Sequence, residues 1–275
     1  MFEKVAFVGG GSIAEAMISG ILVKGFLRPD QISATNKSNK ARLDYLSKSY
    51  GISCNADKKE AIAGADVIIL TMKPADISDA INDIKPYVQL NQLIITVLAG
   101  VSTGYIADAL GLEIPVIRAM PNTSATIGYS ATAISAGKYA TSDHVQQVEL
   151  LFSTIGTTTK VDEKDMHTIT ALSGSGPAYF YYTVESMEAA AAEAGLDETI
   201  AKELIIQTLV GAAEMLKSSK YTPRELRKNI TSPGGTTQAG VEILEKYNYQ
   251  EALIACIKRA AERSEELGSA FQIKK

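Results

Sequence analysis

Short apolar runs and helical patterns alternate through the first 160 residues of the chain. "VAFVG" (Val5–Gly9), "QISATN" (Gln31–Asn36), "DVIILTM" (Asp66–Met72), "LIITVLAG" (Leu93–Gly100) and "PVIRAM" (Pro115–Met120) read as strands. Several are apolar at consecutive positions rather than at alternate ones, as a strand covered on both faces requires. Ala14–Lys24 and Lys40–Tyr50 lie between them with helical spacing. This alternation predicts an α/β domain, a Rossmann-type, doubly wound parallel sheet with helices on both faces. "YSATAIS" (Tyr129–Ser135) and "GTTTKV" (Gly156–Val161) are expected to finish the sheet.

Beyond Val161 the character changes. "ESMEAAAAEAG" and "ETIAKELIIQTLVGAAEMLKSS" carry apolar residues at helical spacing, and no convincing strand follows. Pro177 and Pro223 suit the first turn of helices, with Thr222 as an N-cap before Pro223. The expected division is a dinucleotide-type domain over 1–160 and an all-helical domain over 161–275. A helical domain this small and alanine-rich, with apolar stretches such as "LIIQTLVGAA", is expected to hide part of its surface in a dimer.

Composition narrows the function. Apolar residues make up 46% and charged ones 21%, enough for a proper core. The net charge of −4, with acids and bases mixed, gives no polyanion-binding surface and no reason to expect nucleic acid as a partner. Cys54 and Cys256 match no metal or redox spacing and read as inert packing thiols of a reducing compartment. No apolar run is long enough to span a bilayer, and "MFEK" does not begin a signal peptide. A cytoplasmic location and no membrane partner are therefore expected.

Chemistry enters at "FVGGGSIAEAM". Gly9-x-Gly11-x-x-Ala14 follows the first strand and opens a helix, a dinucleotide-binding pattern in which alanine is allowed at the third position. Gly9 permits the tight turn, Gly11 lets backbone approach a pyrophosphate, and Ala14 keeps helix and strand close. The N–H groups of the helix start, at Ser12 and Ile13, then receive the negative charge. At the end of the second strand an NAD site usually places an acid, yet "QISATNKSNK" contains none. Asn36, Lys37 and Ser38 can instead hold a 2′-phosphate, with Lys40 or Arg42 adding charge. NADP is favoured over NAD. Ordinary solvated lysines are the alternative.

The usual catalytic apparatus is thin. His144 and His167 sit in polar surroundings and read as surface residues, and no metal cluster, nucleophile elbow or HExxH motif occurs. Alcohol oxidation needs a base to take the hydroxyl proton. A protonated imine already accepts hydride at carbon, so the protein has mainly to position it and stabilise polar groups. "SPGGTT" (Ser232–Thr237) supplies hydroxyls and main-chain N–H groups for that task.

With these residues in view, the chain resembles the pyrroline-5-carboxylate reductases, which make proline from a cyclic imine. The resemblance covers nearly the whole length. It rests on "VGGGSIAEAMISG", "MKP" (Met72–Pro74), "LAGV" (Leu98–Val101), "RAMPNT" (Arg118–Thr123), "LSGSGPAYFY" (Leu172–Tyr181) and "TSPGGTTQAG" (Thr231–Gly240). It implies NADPH as preferred cofactor, with NADH accepted, and a small cyclic imine carboxylate as substrate. Carried over residue by residue, it implies cofactor contacts at Gly9, Gly11, Asn36, Met72, Lys73, Pro74, Ala99, Gly100, Met120, Pro121 and Asn122, with Asn55 at the adenine-side ribose. It implies substrate contacts at Ser232, Gly234, Gly235, Thr236 and Thr237, with Thr237 hydrogen-bonding the ring nitrogen. Thr236 can equally cap the helix that begins there. The resemblance further implies a homodimer through the C-terminal helices, in some members five such dimers.

"GSGPAY" (Gly174–Tyr179) reads first as close helix packing near the site. The related β-hydroxyacid dehydrogenases place a catalytic lysine shortly after such a glycine cluster, whereas here no lysine follows before Lys202. Two alternatives stay open at this level: a reductase of another cyclic imine or with a deazaflavin cofactor, and an NADP-binding protein without turnover.

Overall fold

The structure, a computed structural model, describes residues 2–269 and 271. The chain forms two compact units, one of residues 1–177 with 258–275 and one of residues 178–257. The first unit therefore runs beyond the expected boundary at 160 and also regains the C-terminal residues.

In the first unit β1 (Val5–Val8) leads through a glycine turn into α1 (Ser12–Val23). β2 (Ile32–Thr35), α2 (Lys40–Tyr50) and the two-residue β3 (Ser53–Cys54) follow. Next come α3 (Lys58–Ile62), β4 (Val67–Leu70), α4 (Ile77–Ile84), β5 (Leu93–Thr96), α5 (Thr103–Leu110) and β6 (Val116–Met120). β7 (Ser130–Ala136), α6 (Ser142–Phe152), β8 (Gly156–Lys160) and the short α7 (Met166–Ile169) complete it.

The strands lie in the order β3-β2-β1-β4-β5-β6-β7-β8. β1, β2, β4 and β5 are buried at every position, and two apolar clusters cover the two sheet faces. The consecutive apolar runs thus meet the requirement that produced them. The sheet is not wholly parallel, however: β7 runs antiparallel to β6, with Ile117 opposite Ala136 and Met120 opposite Ala133. Only Pro121–Tyr129 joins the two, and a parallel return needs a crossover of a dozen or more residues. β8 then pairs parallel to β7 across α6.

Successive strands run outward from β1 to one side through β2 and β3, and to the other side from β4 onward. The chain reverses its winding between β1 and β4, and the carboxyl ends of such strands leave a crevice outside the sheet. Gly9 and Thr71 stand at that point.

The second unit is helical: α8 (Gly176–Glu193) begins at the boundary and continues into it, followed by α9 (Glu198–Ser218), α10 (Pro223–Asn229) and α11 (Thr236–Lys246). α12 (Tyr249–Ser269) begins in this unit and ends in the first. Thr222 caps α10 as expected, its Oγ1 accepting from the Glu225 N–H while the Glu225 carboxylate accepts from the Thr222 N–H, with Pro223 at the first helical position. Large apolar side chains remain exposed on these helices, among them Phe180, Tyr182, Leu204 and Val210. Such a surface marks an interaction site rather than a solvated face. Among the described residues, no helix is long and apolar enough to cross a membrane.

Candidate active site

The glycine turn is shaped by the strand beside it. Gly9 has φ +120, its N–H donates to the Thr35 carbonyl (2.8 Å), and its own carbonyl accepts from the Thr71 hydroxyl (3.0 Å). A Cβ on Gly9 would lie 2.6 Å from the Met72 nitrogen and the Thr71 carbonyl carbon. Only glycine fits there. Gly11 differs: it precedes α1 without a side-chain cap, and a Cβ would meet no protein atom within 4 Å. That space lies over the free N–H groups of the helix start at Ser12 and Ile13, and an approaching pyrophosphate can use it. Ala14 is fully buried beneath. The residues present fit a dinucleotide.

A cleft of about 620 Å³ is lined by this turn, by Asn36, Lys37 and Ser38 after β2, and by Thr71, Met72 and Lys73 after β4. Asn36 and Asn39 brace the loop, the Asn36 side chain donating to the Asn39 carbonyl (2.8 Å) and accepting from the Asn39 N–H (2.9 Å). Lys37 is not a free cation. Its Nζ lies 3.0 Å from the Asp79 carboxylate and 3.2 Å from that of Asp76. Arg42 is committed to the glycine turn, donating from Nε to the Gly10 carbonyl (2.6 Å) and pairing with Glu15. Burial pushes the Glu15 carboxyl up, but hydrogen bonds from Arg42, Tyr50 and Tyr45 outweigh it and hold the group below its ordinary value. The Tyr50 hydroxyl, buried and bonded to that carboxylate, is pushed up to about 12.

Pro74 starts a short 3-10 turn (Pro74–Asp76) that runs into α4, with Lys73 exposed ahead of it. Asn55 is tied beside β2, its N–H donating to the Ala34 carbonyl (3.0 Å). Ala99 is half-buried. Gly100 takes φ +80, and a Cβ on it would lie 2.8 Å from the Gly268 nitrogen near the end of α12. Asn122 caps the 3-10 turn Thr123–Ile127 through Oδ1 and donates to the Ser173 carbonyl (3.0 Å). Pro121 is buried, and the Met120 side chain packs against Gly174, whose Cβ would meet Met120 Cε at 3.0 Å. Close packing is thus seen at Gly174, at the end of a π-helical turn (Thr170–Gly174), but not at Gly176, where a Cβ would meet nothing within 4 Å.

In the second unit, Ser232, Pro233 and Gly234 form an exposed turn before α11. Gly234 takes φ +71 and donates its N–H to Gln238 Oε1 (2.8 Å), and the Gly235 N–H donates to the Ser232 carbonyl (3.0 Å). Gly235 is the N-cap, without a side chain to close the helix end. Thr236 is thus the first helical residue and not a cap. The side-chain hydroxyls of Ser232, Thr236 and Thr237 have no protein partner among the described residues.

Sequence reasoning missed one buried cluster. Arg118, inside the apolar run of β6, is 1% exposed, with Nη1 3.8 Å from Glu163, while Nε and Nη2 have no partner. Glu163 accepts from the N–H (2.7 Å) and hydroxyl (2.6 Å) of Thr103 at the start of α5. His167, expected at the surface, is half-buried with Nδ1 2.9 Å from the hydroxyl of buried Ser264. Burial first, then the Arg118 charge, holds His167 below its ordinary value. A cation in the middle of "PVIRAM" was the available signal. The cysteines also differ from each other: Cys54 is half-buried, its thiol pushed up by burial, and Cys256 is exposed rather than packed.

A doubly wound sheet with a bare glycine turn opening a helix at its switch point defines a dinucleotide-dependent oxidoreductase. Residues 163–267 match the family described as pyrroline-5-carboxylate reductase dimerisation, and residues 4–100 the one described as NADP oxidoreductase, coenzyme F420-dependent. The chain is 46% identical over 269 residues to pyrroline-5-carboxylate reductase 2 of Bacillus subtilis, covering 98% of this chain and 96% of that one. It belongs to the pyrroline-5-carboxylate reductase family. The Arabidopsis thaliana pyrroline-5-carboxylate reductase is 36% identical over 264 residues, covering 96% and 95% of the two chains. The solved Plasmodium falciparum pyrroline carboxylate reductase with NADP bound superposes with a TM-score of 0.88 at 30% identity, over 96% of this chain and 98% of that one.

Proposed function

We propose that this protein reduces 1-pyrroline-5-carboxylate to L-proline in the cytoplasm, the last step of proline biosynthesis, with NADPH preferred and NADH accepted. The observation that carries the substrate assignment is the turn Ser232–Gly235 with α11 behind it. Unengaged hydroxyls and an uncapped helix N-terminus are brought together on a loop with no side chain at Gly234 or Gly235. A carboxylate is stabilised by the N–H groups and positive end of such a helix. Ser232 and Thr236 orient it, and the Thr237 hydroxyl bonds the ring nitrogen.

The dinucleotide is assigned to the cleft of the first unit. Gly9 and Gly11 leave the backbone open to the pyrophosphate, with Ser12 and Ile13 as donors. Asn36, Lys37 and Ser38 face the 2′ position, and Asn55 the ribose. Met72, Lys73, Pro74, Ala99, Gly100, Met120, Pro121 and Asn122 line the way to the nicotinamide. The chemistry supplied by bound NADPH is a hydride at C4 of its nicotinamide, accepted by the imine carbon. The chain's residues hold the imine in a reactive orientation and exclude water, which can supply a large share of the rate enhancement.

The helical region 161–275 is assigned to substrate binding and dimer formation, with the partner subunit completing the pocket and five dimers as a larger assembly. The test is NADPH oxidation with racemic pyrroline-5-carboxylate, run beside NADH. Oxidation that depends on the imine and yields proline is expected. Folded protein that binds NADPH but shows no turnover with either cofactor would remove the substrate assignment.

A further inference from the structure

The two carboxylates that hold Lys37 come from an element far along the chain. Asp76 precedes α4 and Asp79 lies in its first turn, where the positive end of the helix favours ionised acids whatever Lys37 does. Both acids start from the helix backbone, but their side chains are as open as that of Lys37, with 39% of Asp76, 70% of Asp79 and 64% of Lys37 exposed, and such surface pairs contribute little. Asn36, Lys37, Asp76 and Asp79 line one continuous pocket beside Gly9. Two neighbouring cations are also matched, Arg42 by Glu15 and Lys58 by Asp83 at 3.7 Å, while Lys40 and Lys73 have no ion pair among the described residues. A 2′-phosphate drawn to Lys37 would therefore also approach the negative charges of Asp76 and Asp79.

We propose that Asp76 and Asp79 set the cofactor choice of this chain, weakening its grip on a 2′-phosphorylated dinucleotide and keeping the unphosphorylated one usable. This rests on the reading of Asn36–Ser38 as the 2′ site. The hydrogen bonds that Lys37 donates to Asp79 and then to Asp76 hold it above its ordinary value, so the lysine is a full charge whose field is already answered. In the usual arrangement discrimination comes from the residue closing β2. Here the opposing charges come from the opposite wall of the pocket.

The test uses the full chain and two adenosine probes that differ by one phosphate, adenosine 2′,5′-bisphosphate and 5′-AMP, with affinities from calorimetry. For the Asp76→Asn/Asp79→Asn double variant, affinity for the bisphosphate should rise about three- to thirty-fold, as expected for removing two nearby charges across screened solvent. Affinity for 5′-AMP should change less, staying within about threefold, because its single phosphate is assigned to the glycine turn rather than to Lys37. The bisphosphate affinity of the variant should also fall more steeply with salt than that of the wild type. The NADPH/NADH ratio of kcat/KM should shift the same way. Lys37→Ala gives the control. If it weakens the bisphosphate while the double Asn variant changes nothing or weakens it too, the acids do not set the choice and the cofactor reading stands. If the two probes bind equally to wild type and Lys37→Ala, the 2′ assignment fails and the proposal with it.

Discussion

At the scale of single residues, Gly9 and Gly11 separate packing from binding. Gly9→Ala would force a methyl group into the Met72 and Thr71 backbone at positive φ. It should lower unfolding free energy by about 1–3 kcal/mol, an overpacking penalty read by urea denaturation. Gly11→Ala meets no protein atom, so stability should fall by no more than about 1 kcal/mol. Its NADPH affinity should nevertheless drop, because the methyl stands where the pyrophosphate is assigned. Equal NADPH affinity in Gly11→Ala and wild type would move the phosphate elsewhere. His167 makes a pH prediction. Its folded value lies below the ordinary 6.5, so as pH falls through 6.5 the unfolded chain takes up a proton that the folded one does not. Its contribution is whole above that pH and declines below it, until the depressed folded value is reached. His167→Gln should flatten the loss of thermal stability as pH falls below 6.5; an unchanged slope would place the sensitivity elsewhere. Neither His167 nor Arg118 could be placed from sequence, because their partners Ser264, Glu163 and Thr103 are distant along the chain.

At the scale of elements, legibility followed burial. β1, β4 and β5 announced themselves because a strand covered on both faces must be apolar throughout. β3, only Ser53–Cys54, is too short to carry a pattern, and the reversed direction of β7 depends on connection length rather than on side chains. The glycine turn was readable because its residues are contiguous. The acids facing Lys37 were not, since Asp76 and Asp79 reach it only through the seating of α4, whose Ile77, Ile81 and Ile84 join the cluster of Ala6, Val8 and Leu70. The hydroxyl-rich turn Ser232–Thr237 was readable as a cluster, but not the place of Thr236 inside the helix, which the cap at Gly235 decides. Thr237 stands one residue further into α11 with its hydroxyl free. Thr237→Ala should leave the helix intact by circular dichroism and lower turnover on the order of ten- to a thousand-fold, if its hydrogen bond forms mainly in the transition state. An unchanged kcat would remove Thr237 from the reaction.

At the scale of the whole molecule, the exposed apolar side chains of α8 and α9 require a cover. Leu204 is 59% and Tyr182 73% exposed in the single chain, on a region that matches a dimerisation family. Leu204→Lys should shift the sedimentation coefficient toward the monomer and reduce activity with it, as a partner-completed pocket demands. A fully active monomer would contradict that assembly. The glycine turn and its crevice belong to one compact unit, and the hydroxyl-rich loop to the other. The proposed reaction can be followed atom by atom. NADPH carrying deuterium at the transferred C4 position should be incubated with pyrroline-5-carboxylate and the product read by mass spectrometry and NMR. The account predicts proline with a single deuterium at C5. Oxidation of the cofactor without label in proline would contradict hydride transfer to the imine carbon.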